Sequence, residues 1–129
     1  MTDFPPDIAP TIRVTAMPAD ANPYGDIFGG WLMGHMDLAA GSVASRRSGG
    51  RAVTIAADAM KFHMPVVVGD EVSVYATLAA VGRTSMTIEV EAWRRARHSD
   101  DSCKVTQARF VFVAVGDDRK PRPVPPLTA

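Results

Sequence analysis

In one stretch of this 129-residue chain the apolar residues recur at helical spacing; almost everywhere else they alternate. Leu32, Met36, Ala39, Ala40 and Val43 share one face of a segment from Gly29 to about Arg47, which has no proline and no strong β-branched run. Arg46 and Arg47 suit the negative end of a helix, and Gly49 and Gly50 suit its stop. Ahead of it, residues 11–17 alternate, with Ile12, Val14 and Ala16 on one side, and predict a short strand. Residues 18–26 are dense in turn formers and read as a loop. Behind it come four strand-like runs. Residues 51–64 are β-leaning and stop at Pro65. Val72, Val74, Ala76, Leu78 and Ala80 alternate after a turn at Gly69 and Asp70. Met86, Ile88, Val90 and Ala92 do so after Gly82, and residues 104–115 place Phe110 and Phe112 on one face. A helix of about 18 residues is about 27 Å long, a length that about five strands can cover by curling round it. The expectation is an α+β fold with a curved antiparallel sheet wrapped round one central helix, its short connections favouring a meander. Such a sheet leaves one face and its edges open, which invites a dimer.

Charge and composition narrow the function classes. Lys plus Arg and Asp plus Glu both number 14, so no global field gathers nucleic acid or an anionic membrane surface. A hydrophobic share of 47% argues against disorder, and no apolar run reaches a membrane span. The first ten residues hold acids and prolines and no apolar run, which predicts no signal peptide. Cys103 stands alone, so a reducing, cytoplasmic setting is expected. A compact monomer of this mass should expose roughly 6,600 Å² of the about 20,000 Å² of its unfolded chain. Burying about two-thirds of the surface is enough for one domain, read over residues 11–118, with 1–10 and 119–129 as extended, proline-rich ends. Nucleophile-elbow, phosphate-loop, dinucleotide and zinc-protease motifs are missing. His35, His63 and His98 fall on three different elements, so no metal site is expected. The acids beside Cys103 would raise a thiol's pKa and argue against a catalytic cysteine.

The segment ANPYGDIFGGWLMGHMDLAA, residues 21–40, stands apart. A turn-rich loop feeds directly into the helix through Gly29 and Gly30. These have no Cβ to block close approach, and the first helical N–H groups are free to donate to a developing oxyanion. Asp37 lies about 90° round the helix from its apolar centre, a costly place for an acid unless it is partnered or functional. It is either a catalytic carboxylate or one bonded across an interface to a turn amide.

The motif N-P-Y-G-D-I-F-G-G-W-L-M-x-x-M-D-L resembles the signature of the hotdog-fold acyl-CoA thioesterases, closest to the small bacterial YciA-like group. The resemblance extends through R-A-V-T-I-A-A-D-A-M-K-F, P-V-x-V-G-D-E-V, V-G-R-T-S-M and T-Q-A-R-F-V-F-V-A-V, covering roughly residues 11–115. It implies a homodimer as the minimal unit, with tetramers or hexamers reusing the same pairing, and active sites at the subunit interface. Asp37 matches the family's helix carboxylate, which acts as base or nucleophile. Asn22 matches the loop asparagine that positions water or thioester from the opposite subunit. Gly30 matches the backbone amide that polarises the carbonyl. The implied substrate is acyl-CoA; no cofactor is implied, CoA being part of the substrate.

CoA phosphates need local positive charge in a neutral protein. Arg83 is the first candidate, with Thr84 and Ser85 as neutral donors. Arg94 and Arg95, beside Arg97, form a second cluster whose alternative is a solvated strand end, and Lys61 and Arg51 are weaker candidates. Phe28, Trp31 and Met33 are candidates for an acyl pocket, with simple packing the alternative for each. His35 departs from the uncharged polar residue usual at its position. Two other functions compete with hydrolysis. A hotdog enoyl-CoA hydratase or dehydratase would need a catalytic His in the loop before Gly29, where none stands. A non-catalytic acyl-CoA sensor would have no need of Asn22 and Asp37 together.

Overall fold

The computed structural model describes residues 4–58 and 60–127. The chain runs β1 (Ile12–Thr15), a 3-10 turn (Pro18–Asp20), α1 (Gly29–Ser48), β2 (Ala52–Asp58), β3 (Glu71–Val81), β4 (Ser85–Arg95) and β5 (Ser102–Ala114). Leu32, Met36, Ala39, Ala40 and Ala44 of α1 are buried, and Val43 is half-buried. The run of alanines lets the helix approach the strands closely. Met86, Ile88 and Val90 of β4 and Phe110 and Phe112 of β5 complete the core between helix and sheet. Gly49 ends the helix in the left-handed region at φ 72°, its N–H donating to the Ser45 carbonyl, a geometry that costs a side-chain-bearing residue more than glycine.

The sheet is antiparallel throughout, in the order β1-β3-β4-β5-β2. Only β3, β4 and β5 form the expected meander. The helix ends beside the far edge of the sheet, where the Val115 N–H donates to the Arg51 carbonyl, so the chain leaving it is delivered to the free side of β5. The return from β2 to β3 then needs residues 59–70, a longer connection than expected. It is pinned on the way by His63 N–H to the Val105 carbonyl, and its Val66 carbonyl accepts from the Ile27 N–H. The run read as strand over 51–64 therefore ends at Asp58. Register shifts at Thr54/Ala56, Leu78/Ala80 and Ala92/Trp93 add local twist, which helps the sheet curl round the helix.

The edge strand β2 is the departure from ordinary burial: after half-buried Ala52, every residue is exposed. The chain as a whole exposes 7844 Å², against the roughly 6,600 Å² of a compact monomer. The N-terminal arm and C-terminal tail account for part of the excess, and the apolar side chains Leu38, Val53 and Ile55 for another part. Among the described residues no helix is long and apolar enough to cross a membrane.

Candidate active site

Asp37 is half-buried on α1, on the side facing β2. Its Oδ1 accepts a hydrogen bond of 2.6 Å from the Thr54 hydroxyl on β2. The pair sits in an open cleft with Gly41, Ser45, Val53 and Phe112. Oδ2 is left for a second partner. Within its own chain the partner of Asp37 is thus a strand hydroxyl. Thr54 is the residue that reading the sequence missed. A threonine in a strand is ordinary, and nothing local links it to an acid 17 positions earlier.

Asn22 holds the loop ahead of the helix. Its Oδ1 accepts from the N–H groups of Tyr24 (2.9 Å) and Asp26 (3.1 Å), an Asx turn completed by Gly25 at φ 89°. With the carbonyl oxygen occupied, the side-chain NH2 is the group free to meet a ligand. Residues 26 and 27 pair with 66 and 67, so the loop is docked on the β2–β3 connection. The helix then starts without a side-chain cap. Among the described residues no carbonyl accepts from the N–H of Gly29 or Gly30, and a Cβ at Gly30 would meet nothing within 4 Å. These amides are open to an approaching oxygen.

An apolar cavity of about 310 Å³ opens beside these amides, lined by Phe28, Gly29, Leu32, Phe62, Val66 and others. Of the three acyl-pocket candidates, Phe28 lines it. Trp31 packs on the core and meets His35 edge-on, ring centroids 4.5 Å apart, and Met33 is exposed elsewhere on the helix. Phe62 and Val66 arrive from the long β2–β3 connection, which is why neighbouring sequence gives no hint of them.

The candidate cations divide. Arg83 is exposed in the β3–β4 turn, where the Gly82 N–H donates to the Ser85 carbonyl, and Thr84 and Ser85 flank it half-buried. Arg94 instead meets the buried Asp70 at 3.2 Å, and Arg95 binds the Ala96, Arg97 and Ser99 carbonyls and approaches Glu71. These contacts use both to hold the end of β4. On the outer sheet face Glu89 hydrogen-bonds Arg109 and raises its guanidinium pKa above the usual value. Among the described residues no group of three or more metal-ligating side chains comes together.

A long helix cradled by a curled five-stranded antiparallel sheet, with an acid on the helix flank and open amides at its start, defines a hotdog fold. Residues 24–99 match the thioesterase superfamily, and the chain belongs to it. It is 58% identical over 118 residues to an uncharacterized acyl-CoA thioester hydrolase of Zymomonas mobilis, covering 92% of this chain and 79% of that one. It is 45% identical over 117 residues to the acyl-CoA thioester hydrolase YciA of Salmonella typhimurium, covering 88% of each. Among solved structures it is similar to the hexameric thioesterase of Yersinia pestis, with a TM-score of 0.89 and 43% identity over 94% of this chain and 98% of that chain.

Proposed function

We propose that this chain hydrolyses acyl-CoA to a carboxylic acid and CoA, with Asp37 as the reacting carboxylate. The observation that carries this is the Asp37–Thr54 pair. One carboxylate oxygen is fixed by a hydroxyl at 2.6 Å, and the other is free in an open cleft. Acting as a base, Asp37 takes a proton from water as the water oxygen attacks the thioester carbonyl. Acting as a nucleophile, it forms a mixed anhydride that water then opens. Either way the C–S bond breaks, one water is consumed, and the thiolate leaves and takes up a proton. Thiolate is a good leaving group, so carboxylate, water and amide donors suffice without a resident cofactor.

One chain does not supply the whole site. Gly30 and Asp37 are seven residues apart, about 10.5 Å along the helix, too far to serve one carbonyl. The reading is therefore a dimer in which the Gly30 N–H of one subunit polarises the carbonyl that Asp37 of the other attacks. Asn22, through its free NH2, comes from the subunit opposite Asp37 and orients water or thioester. The exposed β2 edge, with Val53, Ile55 and the nearby Leu38, is the surface for that pairing. Larger assemblies, such as the hexamer of the Yersinia pestis relative, would add outer contacts to the same dimer. The cavity beside Gly29 takes the acyl chain. Arg83, with Thr84 and Ser85, takes CoA phosphate. Cys103 is unpaired, which suits a reducing cytoplasm.

Release of free thiol from short, long and aromatic acyl-CoAs tests the reading, using wild type and Asp37→Ala. Turnover that depends on Asp37 is the expected result. Binding without thiol release from any of them would make the chain an acyl-CoA sensor, and hydration of an enoyl-CoA would make it a hydratase.

A further inference from the structure

The ion pairs of this neutral chain are unevenly placed. Arg13, Arg94, Arg95, Lys104 and Arg109 all pair with carboxylates, and all lie on β1, β4 and β5. Among the described residues the other nine of the 14 Lys and Arg form no such pair, and four of them, Arg47, Arg51, Arg83 and Arg122, meet at the opposite end of the molecule, where Asp117 and Asp118 are the acids of the turn after β5. What gathers them is the C-terminal segment. Its Arg122 guanidinium donates to the carbonyls of Ser48 and Val115 (both 2.9 Å) and of Arg51 (3.3 Å), backbone acceptors at the end of α1, just after β5 and just before β2. Its backbone N–H donates to the Ala114 carbonyl. Two residues on, the Val124 N–H donates to the Arg83 carbonyl at 2.8 Å, and Arg47 reaches the Pro125 carbonyl at 2.5 Å. The fit is close: a Cβ at Gly50 would stand 2.9 Å from the Arg122 guanidinium.

Residues 122–125 thus stitch the helix end, the end of β5 and the β3–β4 turn together. The last of these carries Arg83. In the sheet register Thr54 faces Phe112, and Phe112 faces Met86. Arg83 therefore lies two strands across and three residues along from Thr54, roughly 14 Å of sheet. A pantetheine arm can span that distance from a thioester at Asp37.

We propose that this tail belongs to the nucleotide end of the substrate site, with Arg122 as a positioning residue. Arg122 latches residues 121–125, and the Val124 N–H then fixes the turn that presents Arg83 to CoA phosphate. Unpaired arginines around the latch keep that end of the molecule positive where a polyanion must dock. The proposal rests on the reading of Arg83 as a CoA ligand.

The test compares hydrolysis of an acyl-CoA with that of the N-acetylcysteamine thioester of the same acyl group, which lacks the nucleotide. Arg83→Ala should raise KM for acyl-CoA about tenfold. Arg122→Ala and Val124→Pro, the latter removing the N–H together with a valine side chain that packs on the core, should each raise it about threefold or more with kcat kept within about twofold. All three variants should hydrolyse the N-acetylcysteamine thioester like wild type. If only Arg83→Ala raises KM, the tail is not part of the site and the proposal fails with the Arg83 reading intact. If Arg83→Ala changes nothing, that reading falls and takes the proposal with it. Equal losses on both thioesters in Arg122→Ala and Val124→Pro would make the tail a stability element alone, which also overturns it.

Discussion

At one edge of the sheet, β1 is four residues long, framed by Pro10 and Pro18, with Ile12 and Val14 half-buried and Arg13 turned to Glu71 and Ser73. At the other, β2 has seven residues, exposed from Val53 on, and shows Val53 and Ile55 at 43% and 59% exposure. The first edge is short, polar and shielded, the usual defence against stray pairing, and the second has none of these defences. The difference teaches where stability and, in the proposed mechanism, chemistry reside. Behind β1, Asp70 binds the Val67 N–H and Arg94 and holds the turn on which the Asn22 loop is docked. Beside β2 stand Asp37 and Thr54. Substitutions at the two edges should therefore separate cleanly into losses of fold and losses of turnover.

The largest effect is expected beside the open edge. Asp37→Asn keeps the shape and removes the charge, and should lower kcat about a thousandfold with the melting temperature unchanged. A variant that keeps wild-type turnover would remove the carboxylate from the mechanism. Next comes the shielded edge. Asp70→Ala leaves the Arg94 guanidinium and the Val67 N–H without their buried acceptor, and should cost about 3 kcal/mol, or about 10 °C in melting temperature. Its kcat at a temperature where it is folded should stay near wild type. A kcat loss without a stability loss would erase the contrast between the edges.

Ile55→Asp sharpens the contrast in a third way. Ile55 sits at the register shift between Thr54 and Ala56 and has no partner on β5, so a charge there leaves the protomer's own ladder intact. At the proposed pairing surface it should dissociate the oligomer and lower turnover about thirtyfold, because each half-site then lacks its complement. Sedimentation together with thiol release checks this. An active monomer would show that one chain carries a complete site.

The helix and all five strands were legible because they depend on local spacing, β2 with its end read at residue 64 where it stops at Asp58, and Gly49 marked the helix end because its φ demands glycine. Asp37 was legible as an acid beside the apolar face of the helix, and Asn22 through the resemblance of its loop to the family signature, while its part in holding that loop was not. What stayed hidden was long-range. The place of β2 next to β5 is decided by where the helix delivers the chain, not by the β2 pattern itself. Arg94 and Arg95 look alike in sequence as free cations. Asp70, 24 residues away, takes one of them, and the loop carbonyls after β4 take the other. The docking of the proline-rich tail through Arg122 was hidden for the same reason.

The smallest of these effects concerns the contact that the sequence did not suggest. Thr54→Val keeps the β-branched shape and strand preference of threonine and deletes only the hydroxyl. Asp37 then keeps its place on the helix and loses the 2.6 Å bond that fixes one of its oxygens. A base free to swing spends less time aimed at water, so kcat should fall about tenfold while KM and melting temperature hold. Thr54→Ser restores a hydroxyl at the same position and should recover most of the loss. That recovery separates a role in aiming Asp37 from one in packing β2, since serine packs worse than valine there. If valine turns over like threonine, the hydroxyl does not aim the carboxylate. The open edge would then contribute to catalysis through Asp37 and subunit pairing alone.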